Sequence, residues 1–254
     1  MPDSTNVTRL QEGLSSLLDL VQTALNQKEV PDTLRHRVLG GIVAAEHEHT
    51  GALLSLWRHS PRSSQILLRS LMEGWILAAY IMDTPDDLRA KQYVTKGLRN
   101  NRSYYRRLCA AVERNPDAAA GILQQAGLSS LDECTKKFSE VDLQIKQLDE
   151  RDGRFPTVEK CAASLGLGAE LTYAMVYGPI LSESVHIGPT EVLRMMDVKY
   201  EASTGDPKTL WTALAFSVDL IRLAARHLGS PREAALDPYD TLLGETRSLV
   251  TETE

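Results

Sequence analysis

Apolar residues recur at three- and four-residue spacing along most of this chain, which is the period of an amphipathic helix and not the alternation of a strand. Over residues 4–27, Leu10, Leu14, Leu17, Leu18, Val21 and Leu25 form one apolar stripe, with Ser4 or Thr5 placed to cap it. Pro31 opens a second helix to about His59, in which Gly40-Gly41 predicts a bend or a close helix contact. Pro61 opens a third, PRSSQILLRSLMEGWILAAYIM, that is apolar apart from a few polar positions. Thr84-Pro85-Asp86-Asp87 has the form of a cap with a first-turn proline and predicts a fourth helix to about Arg114. Pro116 begins a short helix to Ala126, and Ser130 with Glu133 predicts a capping box for a helix over 130–151. Its thin stripe of Phe138, Val141, Ile145 and Leu148 places that helix on the outside. Residues 157–178 read as two helices around a glycine turn, the second too apolar to serve as a DNA-recognition helix. Asp206-Pro207 starts and Gly229 closes a last long apolar helix.

The expected fold is therefore all-α, a single-domain helical bundle of about eight to ten helices. Helices 35–58, 62–82, 168–187 and 207–228 supply its core. The core spans about 31–229, a helix from residues 1–30 packs on it, and 245–254 is a frayed tail. Composition agrees, with Leu and Ala plentiful, β-branched runs scarce and aromatics at 6%. A net charge of −6 argues against general affinity for nucleic acid or an anionic membrane. Cys109, Cys134 and Cys161 have no metal-type spacing, so free thiols in a reducing compartment are expected. The polar start MPDSTNVTRL lacks the apolar core of a signal peptide, and the cytoplasm is the expected location.

Three stretches depart from this background. Arg69 and Glu73 lie four apart in the apolar third helix, where they can pair, and an unpaired buried charge would be costly. Between Arg89 and Arg107 the fourth helix carries seven basic residues and no acidic one, and Arg99, Arg102 and Arg106 share a stripe suited to a phosphate backbone. The run YAMVYGPILSESVHIGP, residues 173–189, concentrates reactive side chains: Tyr177 is followed by Ser182 and, four further on, His186 near a helix end set by Gly188-Pro189.

RSLMEG at 69–74, FPTVEKCAASLG at 155–166 and YGPILSESVHIGP at 177–189 resemble a bacterial all-helical family known only as a domain of unknown function. In that family an Arg-x-x-x-Glu helix precedes a Tyr-rich helix ending in Ser-x-x-x-His. The resemblance spans roughly residues 35–228 and implies a helical fold without an established reaction. The same order of elements is similar to HEPN domains, the helical ribonucleases of prokaryotic toxin and defence systems, which use Arg-x(4-6)-His without metal. There the histidine takes the proton of the ribose 2′-OH and the arginine stabilises charge on phosphorus. Carried over, His186 matches, while Pro179, Ile180 and Leu181 stand where the arginine would fall. Arg69 would have to supply it from the third helix.

The leading expectation is thus a HEPN-related effector acting on RNA without a cofactor, with His186, Arg69, Glu73, Ser182 and Tyr177 around one polar pocket. A non-enzymatic protein binding a small ligand in that pocket is the alternative. A third reading comes from spacing: Glu46-x-x-His49 and Glu183-x-x-His186, with Glu73 and Asp219 on the helices that follow, match the residue types of a di-iron or di-manganese carboxylate bundle. RNA, a small molecule and a second copy of the chain are the partners these readings allow; a membrane is not.

Overall fold

In the computed structural model, residues 4–26, 33–148, 154–176 and 206–251 are described, and every regular element among them is helical. In chain order these are α1 (Ser4–Asn26), α2 (Leu34–Leu56), α3 (Pro61–Met82), α4 (Leu88–Arg114), α5 (Ala119–Gln125), α6 (Leu131–Gln147), α7 (Val158–Leu165), α8 (Leu167–Val176), α9 (Pro207–Leu228), α10 (Asp237–Glu245) and α11 (Ser248–Thr251). Short 3-10 turns cover Pro116–Ala118 and Glu233–Leu236. The chain divides into two compact units, residues 1–85 with 156–254, and residues 86–155.

In the first unit α9 is the central element, packed on α1, α2 and α3. Its sequence explains the position: Leu210, Ala213, Leu214, Phe216, Val218, Leu220, Ile221, Ala224 and Ala225 are all buried, more than one face of a surface helix would bury. The ends of α9 follow the local code. Asp206 accepts the Lys208 N–H at 2.9 Å, Pro207 occupies the first turn, and Gly229 ends the helix at φ 71°, a conformation that a side chain disfavours. Against α9, α1 lays the expected stripe of Leu10, Leu14, Leu17 and Val21, and each fully buried leucine contributes about 1.5–3 kcal/mol. The pair α2 and α3, joined by a short turn, makes the most extensive helix packing of the unit.

The second unit is built on α4 against α6, with α5 closing one end. Leu108, Val112, Leu123 and Cys134 form its small core. The two long helices are antiparallel. Cys109 meets Cys134, and two turns earlier on α4 Arg102 meets Asp142, two turns later on α6.

Several local expectations are corrected. The fourth helix starts at Leu88, and Pro85 is outside it, because the Asp86 carboxylate takes the Leu88 N–H at 3.0 Å and sets the entry there. The capping box of α6 is shared between two serines: Ser130 accepts the Glu133 N–H, while the Glu133 carboxylate accepts from the backbone and hydroxyl of Ser129. These bonds hold the Glu133 carboxyl below its ordinary range. At Gly40-Gly41 α2 runs on unbroken, and a side chain at Gly41 would meet only open space.

Candidate functional site

Where α2 meets α3, Glu46, Arg69 and Glu73 come near one another. Arg69 Nε donates to Glu73 Oε1 at 2.7 Å, the i,i+4 pair that the sequence predicts. The two side chains are 20% and 29% exposed: the pair is half buried on the flank of α3 and retains part of its hydration. One helix away, Glu46 is buried, with 6% of its surface exposed. It fits there because residue 74 is glycine: a Cβ at Gly74 would overlap Glu46 Oε1, so the missing side chain makes room for the carboxyl against the backbone of α3.

Burial, and secondarily the neighbouring Glu73 carboxylate, push the Glu46 carboxyl up to about 8 from an ordinary 4.5. Near neutral pH it is therefore mainly a neutral acid, and Glu73 carries the charge that pairs with Arg69. Glu46 Oε2 has no hydrogen-bond partner among the described residues. His49 Nδ1, one turn along α2, is 3.7 Å from Glu46 Oε1, beyond hydrogen-bonding reach, and is also buried with no partner among the described residues. Nearby, Thr50 Oγ1 and Ser217 Oγ bond at 3.1 Å across α2 and α9. Glu46, Thr50, His47 and Ser217 border a space of about 20 Å³, room for about one water. A donated proton and a neighbouring ion pair in a water-poor interface are the ingredients of acid–base chemistry.

Not every expected residue joins this cluster. Tyr177, Ser182, Glu183 and His186, with Pro179, Ile180 and Leu181, lie outside the described residues. Asp219, expected as a metal ligand, is half exposed and accepts from Arg222 at 2.9 Å; Arg222 also holds Asp240. No group of His, Cys, Asp and Glu able to hold a metal forms among the described residues. Glu46 and Glu73 do come together, with the Glu46 carboxyl seated against Gly74 of α3. The role of Gly74 and of the Thr50–Ser217 bond escaped the sequence, where a lone glycine beside Glu73 was the one available signal.

The second unit holds a different site. Arg99, Arg102, Ser103 and Arg106 of α4 line a groove of about 340 Å³ together with Phe138 and Asp142 of α6. The arginine stripe read from the sequence is thus one wall of a concavity. Arg102 donates to Asp142 at 3.0 Å, and Lys146 reaches the same carboxylate, holding its carboxyl below the ordinary range. Arg99 and Arg106 form no ion pair with described residues. Two uncommitted guanidinium groups beside a half-buried aromatic ring suit a planar, phosphorylated ligand.

The chain matches the profile of a family described as a family of unknown function (DUF5677) over residues 37–203. It belongs to that family. The family match covers α2 to α8, so both the Glu46–Glu73 cluster and the arginine groove fall within the shared region. No curated protein and no solved structure matches the chain. No helix among the described residues is long and apolar enough to cross a membrane.

Proposed function

We propose that this member of the family is an RNA-directed helical effector of HEPN-like type that cleaves or holds RNA without a metal. The observation that carries the reading is the arginine groove. In a chain of net charge −6, Arg99 and Arg106 have no carboxylate partner among the described residues and lie on a concave surface beside Phe138. Phosphates would bridge the guanidinium groups, and a base would stack on the ring. The cleavage chemistry is assigned to His186 and Arg69. His186 acts as the base that removes the ribose 2′-OH proton, the 2′-oxygen attacks phosphorus to form a 2′,3′-cyclic phosphate, and the bond to the 5′-oxygen breaks as that oxygen takes a proton from water. Arg69 meets the charge that builds on the phosphoryl oxygens, held at its Nε by Glu73. Glu46, by keeping its proton, adds no second negative charge beside the Arg69–Glu73 pair. Tyr177 and Ser182 are further side chains that the sequence offers to this chemistry.

The groove volume of about 340 Å³ also suits one nucleotide, which favours a non-enzymatic nucleotide-binding protein as the second reading. One experiment separates the two. Labelled single-stranded RNA and mononucleotides are titrated with purified protein at low and raised salt, with cleavage followed in the presence of a chelator. RNA binding that weakens with salt, with chelator-resistant cleavage lost in His186→Ala, supports the effector. Mononucleotide binding without cleavage supports the alternative. Absence of both, or cleavage that the chelator stops, overturns the metal-free reading.

A further inference from the structure

The cysteines of the second unit play no part in the reading above. Cys109 lies near the end of α4 and Cys134 in the first turn of α6, and their sulfurs stand 2.8 Å apart. Cys134 is fully buried, and Cys109 is partly open to solvent. Leu108, Val112 and Leu123 surround the pair, with Tyr105, Ile122 and Leu131 packed against them. Cys161, the remaining cysteine, is buried in α7 of the other unit. Facing cysteines on two antiparallel helices have their side chains directed at one another by the packing of α4 on α6. A sulfur–sulfur bond is about 2.05 Å long, so closing it asks for less than about 1 Å of movement.

We propose that Cys109 and Cys134 are a redox-active thiol pair that closes to an α4–α6 disulfide by exchange with a small-molecule disulfide of the glutathione class. The order of events follows from exposure. The Cys109 thiolate, the accessible one, attacks one sulfur of the small disulfide; a mixed disulfide forms on Cys109 and the first small thiolate leaves and takes up a proton. The Cys134 thiol then gives up its proton, its sulfur attacks that of Cys109, the mixed disulfide breaks, and the second small thiol departs. Two protein thiols are oxidised and one small disulfide is reduced to two thiols. Burial pushes the Cys134 thiol up to about 12, reinforced by the hydrogen bond with Cys109, so Cys134 resolves the exchange and does not start it. The new bond would staple the end of the second unit that α5 closes, two turns along α4 from the Arg102–Asp142 contact of the groove. This inference does not depend on RNA being the ligand.

The full-length protein, held in glutathione buffers from reducing to oxidising, is read by intact mass, free-thiol titration and peptide mapping. The expected result is a loss of two hydrogens, a fall from three free thiols to one, and a single cross-linked peptide pair joining Cys109 to Cys134. Dithiothreitol should reverse all three. Cys109→Ser and Cys134→Ser should each abolish the cross-link, whereas Cys161→Ser should retain it. An unchanged mass in the most oxidising buffer, a glutathione adduct on Cys109 that persists, or a bond involving Cys161 would overturn the proposal. The peptide map of the unmutated protein decides the matter even where a serine variant fails to fold.

Discussion

The two polar sites are both cut into helix–helix packing, yet they end in opposite electrostatic states. At Glu46 the helices close until about one water-sized space remains, and the carboxyl responds by keeping its proton. At the arginine groove α4 and α6 leave about 340 Å³ open, and the guanidinium groups stay hydrated and charged. Burial makes a carboxyl keep its proton, whereas arginines beside open space can draw an anion.

The strongest way to break this contrast is to follow stability against pH. Between about 4.5 and 8 the folded chain keeps a proton on Glu46 that the unfolded chain has released, so the stabilisation is fully present below 4.5 and is lost as pH rises through 8. Its slope is up to about 1.4 kcal/mol per pH unit. Urea midpoints at several pH values should show Glu46→Gln gaining on the native chain as pH rises. Parallel curves for the two proteins would mean that Glu46 titrates like an exposed carboxyl.

Gly74 tests the same packing from the other helix. Gly74→Ala should cost about 2 kcal/mol, because the added methyl overlaps a carboxyl that cannot move freely. In a Glu46→Ala background the cost should largely disappear, and a double-mutant cycle in denaturant measures that coupling. Additive effects would place the two residues apart.

Glu73→Ala should destabilise by about 1–2 kcal/mol, between an exposed and a fully buried ion pair, in line with the half-buried flank that Arg69 and Glu73 occupy. Thermal melts at neutral pH suffice to check it. A loss as large as that of a sealed pair would show that Arg69 is more enclosed than its exposure indicates.

The smallest effect on stability belongs to the open site. Arg99→Ala with Arg106→Ala should change stability by less than about 0.5 kcal/mol, since neither side chain makes an ion pair with described residues. The salt dependence of RNA binding should nevertheless fall by about two units of slope. A clear loss of stability with unchanged binding would turn the groove into a structural feature.

What lies along one helix was legible from sequence. The helix periods, the Asp206 and Gly229 boundaries of α9, the Arg69–Glu73 pair and the stripe of Arg99, Arg102 and Arg106 all depend on neighbours within a few residues, and local spacing determines them. Contacts between helices were not legible in this way. The sequence placed Glu46 and Glu73 on consecutive helices, but only packing at Gly74 decided which of the two carboxyls would be buried and pushed up to about 8. It also read the three cysteines as unrelated thiols, whereas the antiparallel register of α4 on α6 brought Cys109 to Cys134. Helical period fixes which face a residue takes, but the rotation and register of one helix against another arise from the fit of many side chains at once, and that fit decides which residues meet and which lose water.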